Sequence, residues 1–161
     1  MSIARFGHVS DSQYREATVH LTDPMNVAEI PLPHRGTAGS AGYDFTSPAT
    51  VTIPAGGYTL IPTGIRAEMD PDWVLLIFPR SSLGYKYGIR LANTVGVIDS
   101  DYAHAKNEGH IMVKLHNGSE RDVIIQKGDR FCQGVFLPYG TAEEDSSLLG
   151  ERSGGFGSTG K

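Results

Sequence analysis

The chain has 161 residues, a formal net charge of −4 and one cysteine, Cys132. That length favours one domain with its own core, a lone cysteine excludes an intramolecular disulfide, no apolar run approaches a membrane span, and no basic block offers a general nucleic-acid face. The first ten residues lack an apolar signal region, so a cytoplasmic protein is expected, with neither membrane nor nucleic acid among its partners.

Glycine (20) and proline (9) punctuate short runs rich in Val, Ile, Thr, Tyr and Phe. In chain order, strands are expected over 17–21, 43–46, 50–53, 58–62, 65–69, 73–78, 89–91, 94–98, 110–115, 122–125 and 130–137. Turn residues at 54–57, 70–72, 116–119 and 127–129 separate them. Strands at this spacing predict an all-β sandwich, jelly roll or barrel. No long window repeats every 3.6 residues; 81–88 and 141–149 can each hold a turn or two of helix. The run Val74 to Phe78 is apolar on both faces, which predicts burial on both sides, by a second sheet or by a partner chain.

The last segment changes character. Residues 1–149 read as the folded domain, and 150–161 as a flexible glycine-rich arm. Gly155 to Lys161 matches two phosphate-loop patterns, but no helix follows and no βαβ unit precedes. Rossmann and P-loop folds are excluded. The chemistry still suits a nucleotide: glycines let backbone N–H groups approach phosphate oxygens, Ser158 and Thr159 add hydroxyls, and Phe156 can stack on a base.

Three further clusters stand out. Gly42-Tyr43-Asp44-Phe45 starts a strand with one acid. Pro79-Arg80-Ser81-Ser82-Leu83-Gly84 ends the most apolar strand with a cation and two hydroxyls, a composition suited to phosphate. Gly128-Asp129-Arg130-Phe131-Cys132-Gln133 starts another strand and places an amide in an apolar run. Each alone reads equally well as a turn, a cap or a satisfied core amide. Between them lies Leu91 to Tyr102, LANTVGVIDSDY, with Asn93, Asp99, Asp101 and Tyr102 around an apolar run.

Taken in order, AGYDF, PRSSLG, NTVGVIDSDY, GDRFCQ and GGFGSTG resemble the five motifs of the trimeric dUTP diphosphatase family, over residues 37 to 161. The resemblance implies a dUTPase-like β jelly roll, a homotrimer with shared active sites, and hydrolysis of dUTP to dUMP and pyrophosphate. It assigns Asp99 as general base for water attack on the α-phosphorus, with Asp101 holding the turn. It gives Asn93 and the backbone near Gly96 and Ile98 to uracil, and Tyr102 to the deoxyribose. Arg80, Ser81, Ser82 and Gly84 go to the phosphates, and Gln133 to the α-phosphate or a metal-bound water. Asp44 becomes a water-mediated ligand of Mg²⁺. In the arm, Phe156 stacks on uracil while Arg152, Gly157, Ser158 and Thr159 meet the phosphates.

The pattern departs from the family in two places. Residues 103–109 insert about five positions after DSDY, and could reshape the pocket rim or dock a protein partner. Arg152 stands one register off, with Glu151 in the usual arginine position. Two alternatives are carried forward: a dCTP deaminase-like enzyme of the same fold, and a nucleotide-gated regulatory binding protein.

Overall fold

The computed structural model describes residues 2–143. Twelve strands carry the described fold: β1 (Ala4–His8), β2 (His34–Arg35), β3 (Tyr43–Thr46), β4 (Val51–Ile53), β5 (Tyr58–Pro62), β6 (Ile65–Met69), β7 (Trp73–Pro79), β8 (Ile89–Leu91), β9 (Gly96–Ile98), β10 (Met112–Asn117), β11 (Val123–Ile125) and β12 (Arg130–Pro138). Helices α1 (Asp11–Thr18) and α2 (Ser81–Tyr87) are short. The all-β expectation holds, and the architecture is the jelly roll. The expected 141–149 helix and the arm fall wholly or mostly outside the described residues.

The central sheet has the order β2-β3-β12-β7-β9. A second sheet, β5-β10-β8, and the pairs β1-β6 and β11-β4 complete the described strands. All pairings are antiparallel. One apolar cluster fills the interior, with Phe45, Ile61, Leu75, Ile77, Leu115 and Phe131 each at most 1% exposed. Burial of each aliphatic side chain among them stabilises the fold by about 1.5–3 kcal/mol.

One expected strand is wrong. Residues 17–21 are the end of α1 and a turn, not a strand. The Ser10 hydroxyl caps the helix by accepting the Gln13 N–H, and Asp11 pairs with Arg15 one turn later. Only Tyr14 and Thr18 turn inward, four residues apart on one face. Two inward residues are too few to print a helical period on the sequence. Strands β1 and β2 also escape the pattern, because ARFGH holds only one large apolar residue and HR none; pairing with β6 and β3 makes them.

Strand β7 settles the two-sided apolar run. Leu75 and Ile77 are buried, whereas Val74, Leu76 and Phe78 are only half-buried on the opposite face. Within one chain, the core covers one side of this strand.

Candidate active site

The polar site stands on that outer face. Alternate residues of a strand share a face. Phe78 of β7 pairs with Gln133 of β12, and Gln133 with Asp44 of β3. These three side chains therefore point outward together. A bulge fixes the register: Arg130 opposes Thr46 while Cys132 opposes Phe45, so two steps on β12 match one on β3. The bulge also explains why Phe131 and Cys132, adjacent in sequence, are both fully buried. Burial raises the Cys132 thiol well above its ordinary range, so it is inert packing.

Asp44 anchors the charge network. Its Oδ1 lies 3.3 Å from Arg80 Nε and its Oδ2 3.0 Å from Arg130 Nη1. The carboxylate side chain is 12% exposed while the two guanidinium side chains are 31% and 45% exposed, so the acid is the buried pivot that aims two cations outward. They open into a cleft of about 330 Å³, shared with Ser82, Leu83 and Asp129. The Asp129 carboxylate accepts the Gln126 N–H at 3.0 Å. Beside it the Gln133 amide donates to the Pro79 carbonyl at 3.3 Å. Gly42 leaves the amide room: a Cβ there would overlap Gln133 Oε1.

The phosphate-loop residues form α2, the helix expected near 81–88. Arg80 precedes it in extended conformation and accepts the Leu83 and Gly84 N–H groups. Ser81 and Ser82 make its exposed first turn. The helix ends at Gly88, whose left-handed φ of 63° suits glycine.

The hairpin sits on the other side of β7. Thr94 takes a positive φ of 71°, and its N–H donates to the Leu91 carbonyl, which closes the turn around Asn93. Gly96 opposes Ile77, and a Cβ on it would come within 3.0 Å of Ile77 Cβ. Glycine lets the hairpin lie close on β7. A cavity of about 180 Å³ results, lined by Asn93, Gly96 and Ile98 with Ile77, Ile111 and Met112 among its walls. It is largely apolar.

Asp99 follows Ile98 and enters a 3-10 turn over Ser100–His104. Ile98 opposes Leu75, so Asp99 stands level with Val74. Six residues of strand separate that level from Arg80, about 20 Å at 3.3 Å per residue. One chain thus gathers Asp44, Arg80, Arg130, Ser82 and Gln133 at one end of β7 and sets Asp99 at the other. The expected site residues form two half-sites rather than one.

Tyr102 is buried, 6% exposed. Its hydroxyl donates to the His110 carbonyl at 2.9 Å and accepts from Asn107 Nδ2 at 2.7 Å. The inserted residues 103–109 fold back on the chain. Glu108 receives both the N–H and the hydroxyl of Ser10, at 2.7 and 2.6 Å, and those donors hold its carboxyl below the usual range. Arg66 donates to the Ala103 carbonyl at 2.8 Å. The His110 ring is fully buried and accepts the Gly64 N–H at Nε2. Burial lowers its pKa to about 4.

Among the described residues, no three His, Cys, Asp or Glu side chains converge to hold a metal ion. Likewise, no described helix is long and apolar enough to cross a membrane. The arm residues Arg152, Phe156, Gly157, Ser158 and Thr159 lie outside the described residues. Arg130 was missed by sequence reasoning: its motif was visible, but its partnership with Asp44 depends on the bulge. Asn107 was visible only as one residue of the 103–109 insertion.

The comparisons with known proteins agree on one family. The family model described as dUTPase matches residues 28–160. The deoxyuridine 5'-triphosphate nucleotidohydrolase of Lactococcus lactis is 46% identical over 135 residues, covering 83% of this chain and 90% of its own. Among solved structures, the dUTPase of Streptococcus mutans has a TM-score of 0.69 at 39% identity, covering 86% of this chain and 98% of its own. A mutant dUTPase of phage phi11 of S. aureus has a TM-score of 0.66 at 18% identity, covering 88% and 94%. That structure concerns the coordination of a structural Mg(II) ion.

Proposed function

The chain belongs to the dUTPase family, and from that premise we propose that it hydrolyses dUTP to dUMP and pyrophosphate in sites shared between subunits of a homotrimer. The carrying observation is the hairpin cavity. Asn93, Gly96 and Ile98, expected to face uracil, do line one small apolar pocket. An amide and two backbone edges there can pair with the polar edge of uracil; cytosine would leave donors facing donors.

The separation of the half-sites supports the shared arrangement. A triphosphate cannot stretch from Asp99 to the Arg80–Ser82 cleft about 20 Å away along β7. A second chain must bring its cleft to this hairpin. The surface for doing so adjoins the cleft: Val74, Leu76, Val97, Val135 and Leu137 all share the outer face of β12-β7-β9. Val97 and Leu137 are 55% and 42% exposed in the single chain. The second cover expected for the β7 run is then a partner subunit.

In this reading Asp99 orients a water and takes its proton as the water attacks the α-phosphorus in line with the departing pyrophosphate. Arg80, held by Asp44, binds the phosphate chain beside Ser81, Ser82 and the Gly84 backbone. Gln133 hydrogen-bonds the α-phosphate. Tyr102 packs under the deoxyribose. Phe156 of the arm stacks on the base, with Arg152, Gly157, Ser158 and Thr159 on the outer phosphates. Mg²⁺ fits here only through water and phosphate oxygens, since both Asp44 oxygens already serve guanidinium groups. When bound, it neutralises charge on the phosphates.

The test is pyrophosphate release from dUTP, dCTP, dTTP and UTP with Mg²⁺. Release from dUTP far faster than from the other three is expected. Ammonia from dCTP, with no pyrophosphate from dUTP, would establish the deaminase reading instead. Asp99→Asn should cut kcat by orders of magnitude while dUTP still binds; near-native turnover removes Asp99 as the base.

A further inference from the structure

We infer that Asn107, in the inserted loop, is a positioning residue that fixes the Tyr102 hydroxyl and thereby sharpens the exclusion of ribonucleotides. The inference rests on the reading of Tyr102 as the residue under the sugar.

The geometry begins with the hydroxyl. It lies at the end of the tyrosine ring farthest from the backbone, so its partners set the tilt of the ring. Among the described residues, the His110 carbonyl accepts from it and Asn107 Nδ2 donates to it. Both partners are themselves fixed. Asn107 Oδ1 accepts the Gly109 N–H, and the Asn107 carbonyl accepts the His110 N–H. The His110 ring is tied to the Gly64 N–H.

The loop cannot drift from Tyr102. Gly109 has φ of 73°, and a Cβ on it would come 2.7 Å from Ala103 Cα and 2.9 Å from the Tyr102 carbonyl. Glycine is required for the turn to pass this close. Glu108 meanwhile ties the loop to Ser10, the cap of α1. Ser10 precedes the stretch matched by the family model. A loop inside the family match and an N-terminal segment outside it are thus joined, and the joint ends on the sugar tyrosine.

A ring held at one end only can tilt and admit a 2′-hydroxyl. Asn107→Ala should therefore raise kcat/KM for UTP relative to dUTP, on the order of fivefold, the size of one net hydrogen bond. The experiment measures that ratio for the native protein, N107A, Y102F, the double variant and Y102A, with melting temperatures alongside. N107A, which loses one of these hydroxyl bonds, should relax discrimination, Y102F, which loses both, should relax it at least as far, and the double variant should go no further than Y102F. Full additivity in the double variant overturns the inference. So does an N107A that lowers both substrates equally along with the melting temperature. Y102F keeps the loop's own bonds, so it carries the test if N107A does not fold: unchanged discrimination in Y102F also overturns the inference. The premise is judged separately by Y102A, whose unchanged discrimination would remove Tyr102 itself as the sugar residue.

Discussion

Acidification should destabilise this protein through His110. The ring is fully buried and must stay neutral to accept the Gly64 N–H at Nε2, so its proton sits on Nδ1. Its pKa falls from 6.5 to about 4, chiefly by desolvation, with the Glu108 charge opposing. A base with a depressed folded pKa contributes stability that is complete above 6.5 and is lost as pH falls toward about 4. Between pH 7.5 and 4.5 the loss is about 2.5 kcal/mol. The carboxyls of Glu68 and Glu108 are shifted downward by their hydrogen-bond donors; they start losing stability only at the acid end of that window. For a chain of this length, 2.5 kcal/mol corresponds to about 5–10 °C. Urea midpoints at fixed protein concentration, taken every half unit of pH, measure the slope. His110→Gln keeps an acceptor for Gly64 and cannot ionise. It should be less stable near neutrality yet lose most of the slope between pH 6.5 and 4.5. An unchanged slope in that variant refutes the account. Activity should fall over the same window, because the His110 carbonyl holds Tyr102.

Two glycine substitutions separate site from scaffold. Gly42→Ala should leave the melting temperature near native, since alanine also restricts the unfolded chain. The new methyl would displace the Gln133 amide, so kcat/KM for dUTP should drop about tenfold or more; steady-state kinetics and a thermal melt decide it. Gly109→Ala meets backbone atoms that cannot yield, at a positive φ. It should cost about 2–4 kcal/mol, seen as a lower urea midpoint.

The local composition of the chain determined much of this. Short β-branched and aromatic runs between Gly/Pro turns fixed the all-β class, and 43–46, 58–62, 65–69 and 89–91 are strands with those limits. In these runs side-chain shape and alternation carry the information, and both are local. The motif order carried the family, and the hairpin residues Asn93, Gly96 and Ile98 do meet in one pocket. Helix α1 was lost because its signal is a cap, an i,i+4 ion pair and only two inward residues.

Tertiary structure decided the rest, because it depends on register between strands far apart in sequence. One extra residue at Phe131 puts Gln133 opposite Asp44 and lets Arg130 share that carboxylate with Arg80. The pairing of β9 with β7 sets Asp99 about 20 Å from the cleft, which divides the motif residues of one chain into two groups. The 103–109 loop, visible in sequence only as extra residues, joins Tyr102 and Ser10 once Asn107 and Glu108 find partners 5 and 98 residues away. Local composition cannot encode such distances; only the packed chain supplies them.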